Sequence, residues 1–128
     1  MGEYNHHSEI TKEILDGVKV GNLVKINDWK MPLKVVGVSE NYFAMARRCF
    51  GKVLYSVCEK NPWDGIMHNS MRGGMFHCGT DNMIFGYLGF DYEFNDEKQI
   101  NDYLQAFEDG KIELSHRTAI PIYDFYVK

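Results

Sequence analysis

The chain has 128 residues, with 14 Lys and Arg against 18 Asp and Glu and a formal net charge of −4. That length is one domain's worth. Folding should remove about two-thirds of the extended-chain surface from water, so a core forms without disulfide or metal. A hydrophobic fraction of 45%, with 8 Phe and 8 Tyr, is core-forming material and excludes a globally disordered chain. No apolar run reaches the ~20 residues of a membrane span, and Met1 to His7 lacks the basic and apolar stretches of a signal peptide. The expectation is a single domain over 1–128, cytoplasmic and without a membrane partner, with residues 1–7 as a loose terminus. Cys49, Cys58 and Cys78 are an odd set without tight metal spacing, and read as small buried hydrophobes in a reducing compartment.

In chain order, Glu9 to Leu15 is predicted as a short helix with Ser8 as its cap, placing Ile10, Ile14 and Leu15 on one side. Gly17 ends that turn and Gly21-Asn22 makes a second break. The period then changes to two. Leu23, Lys25 and Asn27 alternate with Val24, Ile26 and Asp28, and Pro32 separates this strand from Leu33–Val38. A turn at Ser39-Glu40-Asn41 leads to a strand from Tyr42 to Phe50. Phe43, Met45, Arg47 and Cys49 share one of its faces, and Tyr42, Ala44, Ala46, Arg48 and Phe50 the other. Gly51-Lys52 connects to a strand over Val53–Glu59. Connections this short exclude crossover helices and predict an antiparallel meander.

The segment from Asn61 to Gly86 is rich in turn residues, with a short strand over Met75–Cys78. The clearest helix runs from Asp96 to Asp109. Asn95 or Asp96 caps it, Ile100, Tyr103, Leu104 and Phe107 form an apolar stripe that should cover the sheet, and Gly110 ends it. Ile112, Leu114 and His116 then alternate with polar residues. A last strand is predicted over Ala119–Tyr126, with Pro121 favouring an edge. The fold class is therefore α+β: a mainly antiparallel small sheet, or a partly open barrel, with a short N-terminal helix and a helix near 96–109. In strand order and length the meander is similar in general shape to an SH3-like domain, a likeness that implies no function.

The charge is uneven. Lys19 to Lys60 holds eight basic and three acidic residues, whereas Asp91 to Asp109 holds seven acidic residues and only Lys98 opposing them. A two-faced surface would favour a protein or peptide partner, acidic at the meander and basic at the helix. Tyr42, Arg47, Arg48, Lys52, Trp63 and Arg72 are the binding candidates, because aromatic and Arg side chains anchor interfaces. Half-buried packing is the competing role for Tyr42, and sealing the core that for Trp63. Self-association through an edge strand is a further possibility.

Two other classes have weaker support. Lys25, Lys30, Lys34, Arg47, Arg48 and Lys52 would contact phosphates if the meander clusters them, with Tyr42, Tyr55 or Trp63 as stacking surfaces. Against nucleic acid stand the net negative charge and the absence of a recognition motif. An enzyme built on the 68–81 segment would use His68, His77 and Asp81 for proton transfer, Arg72 for an anion and Cys78 as nucleophile. No nucleotide-binding loop is present and no cofactor is expected. Cys49, Cys58, His77 and Cys78 (with His68) have zinc-ligand chemistry, but consecutive strand residues such as His77 and Cys78 point to opposite faces. The bulk of the chain thus reads as a non-enzymatic binding module. Salt-sensitive nucleic-acid binding weakened by reversing the charge of Arg48 would select the nucleic-acid class instead.

Overall fold

The computed structural model describes residues 3–49, 52–60, 75–78, 97–111 and 119–128; for 48–49, 52–54, 75–78, 97 and 119–121 it describes the backbone alone. Among these residues ten elements follow in chain order: β1 (Asn5–His7), α1 (Lys12–Asp16), β2 (Leu23–Ile26), β3 (Leu33–Val38), β4 (Tyr42–Cys49), β5 (Lys52–Glu59), β6 (Met75–Cys78), α2 (Glu97–Glu108), β7 (Ala119–Pro121) and β8 (Phe125–Val127). The strands form one antiparallel sheet in the order β1-β8-β2-β3-β4-β5-β6-β7. The meander from β2 to β5 is the run of short connections expected from the sequence. Of the terminal stretch, Asn5–His7 pair with β8, His6 standing opposite Tyr126.

Two elements depart from the sequence reading by more than a residue at an end. The first helix starts at Lys12, not Glu9, and its cap is Thr11, not Ser8: the Thr11 hydroxyl accepts from the Ile14 N–H at 3.3 Å. Ser8 and Glu9 instead carry the chain out of β1. The predicted strand over 119–126 is two strands, broken at Ile122-Tyr123-Asp124. That break governs the shape of the sheet. β7 and β8 are six strand spacings apart in the hydrogen-bonded order, which on a flat sheet is about 29 Å. Yet Pro121 and Phe125 are only four residues apart and can be separated by at most about 14 Å. The sheet must therefore roll until its two ends approach across this corner.

Asn27 pins the corner. Its side-chain oxygen accepts from the Tyr123 N–H at 2.8 Å and the Asp124 N–H at 3.2 Å, and its own N–H donates to the Asp124 carbonyl at 2.7 Å. The residue sits at φ 54°, a left-handed conformation that Asn tolerates better than most residues.

Both faces of the rolled sheet are covered where it is most apolar. On the inner face Ile10, Leu15 and Val18 pack with Val24, Ile26, Leu33, Val35, Phe43, Met45 and Cys58, and with Ile122 and Phe125 from the corner. On the outer face α2 lays Ile100, Tyr103, Leu104 and Phe107 against Ala44 and Val57, as its stripe predicts. Between Val35 and Gly37 the register with β4 slips, leaving Val36 as an extra residue. Gly37 lies directly beneath the helix, where a Cβ would overlap Ile100 Cγ2 and stand 3.1 Å from Leu104 Cδ1. Gly110, at φ 75°, ends the helix, its N–H donating to the Phe107 carbonyl while that of Lys111 donates to Ala106.

Two substitutions test this geometry. Asn27→Gly keeps the backbone conformation but loses the corner acceptor, and should cost about 1–2 kcal/mol in denaturant unfolding. Asn27→Ala should cost more, because backbone strain adds to the same loss. Gly37→Ala should cost about 1–3 kcal/mol by overpacking, and shortening Ile100 to Ala in that background should restore part of it.

Candidate functional site

Two polar groupings stand out among the described residues. The first lies where β3 and β5 end and β4 begins, beside the C-termini of both helices. Lys60 is only 4% exposed; its ammonium donates to the Ser39 carbonyl at 2.7 Å and lies 3.6 Å from Asp16 Oδ1, while its N–H donates to the Asn41 carbonyl at 2.8 Å. Glu108, at the last turn of α2, accepts from the Ser39 hydroxyl at 2.6 Å, from the Asn41 N–H at 2.7 Å and from Asn41 Nδ2 at 2.9 Å. Burial pushes the Glu108 carboxyl up, but these donors and the Lys60 charge outweigh it and hold its pKa below the ordinary 4.5. The Asp16 carboxyl is likewise lowered, chiefly by the Lys12 ammonium bonded to both its oxygens at 3.1 Å. Burial raises Glu59, and burial, then Glu59 and Glu108, raise Tyr42. This grouping ties α1 on one face to α2 on the other through the β3–β4 turn. Its charges are used up internally, which makes it a clamp.

The second grouping lies on the outer face of β1, β8 and β2. Cross-strand register builds it in two rows. One row carries Lys128 and Leu23, which exchange backbone hydrogen bonds at 2.7 and 2.9 Å, with Lys34 opposite Leu23 on β3. The other carries His6, Tyr126 and Lys25. Tyr4 precedes β1, and both the Lys25 and Lys128 ammoniums lie over its ring, 4.5 and 4.6 Å from the centroid. Lys25 is also 5.9 Å from the Tyr126 centroid, and His6 stacks on Tyr126 at 4.6 Å while its Nε2 meets Asp124 Oδ1 at 2.8 Å. Lys34 and Lys128 are exposed, and Tyr4, Lys25 and Tyr126 half-buried. Helix α2 packs on β3 and β4, and among the described residues no helix packs on this part of the face.

Among the described residues, the binding candidates singled out in the sequence fall at opposite ends of the β4–β5 pair. Tyr42 is half-buried against Phe107, ring centroids 5.2 Å apart. Arg47 lies toward the other end of β4, its guanidinium 5.9 Å from the Trp29 ring and its Nε buried without a hydrogen-bond partner among the described residues. The backbones of Arg48 and Lys52 are placed at that same end, opposite Val53 and Cys49, about 20 Å along the strand from Tyr42. Cys58 stands opposite Phe43 and Phe76, six residues along β5 from the position paired with Cys49. It is fully buried, its Sγ donating to the Glu59 carbonyl at 3.4 Å, and burial drives its thiol well above the usual range. His77 and Cys78 pair with Val57 and Ser56. Trp63, His68, Arg72 and Asp81 lie outside the described residues. No group of three or more His, Cys, Asp or Glu suited to a metal is formed among the described residues, and no helix among them is long and apolar enough to cross a membrane.

Of the outer-face group only Lys25 and Lys34 figured among the sequence candidates. The alternation Phe125-Tyr126-Val127-Lys128 carries the signal for the rest, but strand pairing between residues 4–7 and 125–128 is invisible along the chain. Comparison with protein-family models, with curated proteins and with solved structures finds no match.

The clamp predicts a pH dependence with a definite sign. Because Glu108's folded pKa lies below its unfolded one, its contribution is present above about 4.5 and is lost as pH falls through the folded value. Glu108→Gln should destabilise the protein by about 1–3 kcal/mol at neutral pH. In urea titrations its deficit relative to wild type should shrink toward low pH.

Proposed function

We propose that this chain is a small non-enzymatic binding module, a single domain on a partly open barrel similar in general shape to SH3-like domains, that takes up an extended protein segment along the side of β1 that pairs with no described strand. The observation that carries this reading is the coincidence of an edge strand with a cationic surface. β1 ends the hydrogen-bonded order, and the face next to it presents Lys25, Lys128 and Lys34 around two tyrosines. An edge strand offers backbone donors and acceptors to an added strand, and side chains on the adjoining face select among segments. With only three residues in β1, the added ladder is short. Main-chain bonding alone gives little affinity, and charge supplies the preference for acidic segments.

Single-stranded nucleic acid is favoured less. A stacking platform needs aromatic faces on offer, whereas the Tyr4 ring is engaged by two lysines and the Tyr126 ring by His6.

Titration of the 15N-labelled chain with Thr-rich peptides of alternating acidic residues should shift the amides of residues 4–8 and 125–128 and slow hydrogen exchange in β1. Raising salt should weaken binding, and Lys25→Glu with Lys128→Glu should reduce affinity tenfold or more. Binding that leaves the β1 amides unchanged would overturn the edge-addition reading. So would binding of an oligothymidylate to this face in place of any peptide.

A further inference from the structure

We infer that Lys25 and Lys128 form a two-pronged seat for one side-chain carboxylate of the added segment, at the position beside Tyr4; this inference rests on the edge-addition reading above. Lys25 belongs to β2, two strands from β1, so its backbone is about 10 Å from the edge. Its ammonium nevertheless lies 4.5 Å from the centroid of Tyr4, which stands just before β1. Lys128, from the strand between them, delivers its ammonium to the same ring at 4.6 Å. Charge from two strands thus converges on the Tyr4 ring, with the ammoniums held within about 9 Å of each other.

Neither ammonium has a carboxylate partner among the described residues, in contrast to Lys12, Lys60 and Lys98. Two like charges gathered on one ring repel. A single anion that meets both ammoniums beside the ring gains two attractions and offsets that repulsion. The ring also holds both long side chains extended over the surface, so less side-chain freedom is lost when the anion arrives.

The neighbouring position on the same face of the added strand lies beside His6, where Asp124 Oδ1 already occupies the His6 Nε2 at 2.8 Å. A second carboxylate there would face Asp124. The site should therefore read one acidic residue with a neutral residue two positions away.

The test compares end-blocked nine-residue Thr-rich peptides carrying one central Glu, one central Gln, or Glu at two positions separated by one residue, titrated against the full chain by calorimetry and amide shifts. Replacing Glu by Gln should weaken binding about fivefold or more, and the second Glu should give no gain. In double-mutant cycles the central Glu should couple to Lys25→Ala and to Lys128→Ala but not to Lys34→Ala, which lies on the same face away from Tyr4. Equal binding of the Glu and Gln peptides at β1 would overturn the two-pronged seat and leave edge addition standing. Coupling to Lys34 as large as to Lys25 would also overturn it, showing diffuse attraction. If no peptide moves the β1 amides, the underlying reading falls and the seat falls with it.

Discussion

The corner at Ile122-Tyr123-Asp124 is the constraint on which the rest of the structure depends. Three residues join strands from opposite parts of the sheet, and their length allows no flat arrangement. The energy holding the corner comes from both of its sides. Ile122 and Phe125 are fully buried in the inner core, and Asn27 satisfies the backbone N–H groups that the break removes from the ladder. Because β8 is inserted between β1 and β2, the corner also decides which residues become neighbours on the outer face. Lys128 meets Leu23 and Tyr126 meets Lys25 only through that insertion.

Rolling the sheet produces two cores, and they need different solutions. The inner one closes on itself with α1 as a short lid, a helix too brief to be stable without docking. The outer one needs α2, and the close approach of that helix depends on a residue without a side chain at Gly37, just after the β3 bulge. At the end of the sheet where the two layers meet, Glu108 and Lys60 gather the turn residues Ser39 and Asn41 between them. Charged groups half withdrawn from water persist here because their hydrogen-bonding capacity is met within the cluster.

Helix α2 is also why a cationic face exists. Its twelve residues span about 18 Å and cover the outer face over β3 and β4, and among the described residues no helix covers the strands at the β1 edge. Those strands accordingly turn Lys and Tyr outward and Val, Ile and Phe inward. The polar residues organise one another through ring–ammonium contacts, stacking and the His6–Asp124 pair.

The sequence by itself determined the local elements. Alternation in β2 to β5, the stripe of Ile100, Tyr103, Leu104 and Phe107, the terminating Gly110 and the edge position of Pro121 all follow from periodicity and backbone chemistry, which act over a few residues. The start of α1 is not local, because Ser8 and Thr11 are both good caps and pairing of β1 with β8 draws the residues before Lys12 away from the helix. The strand expected over 119–126 was likewise divided by a long-range demand, that the chain cross from one end of a rolled sheet to the other. The basic character of the meander was legible, but its grouping was not. Arg47 and Tyr42 lie far apart on β4 while Lys25 joins residues from the two ends of the chain. Only the tertiary structure decided where the charge converges, because strand pairing brings together residues more than a hundred positions apart and no local pattern encodes that distance.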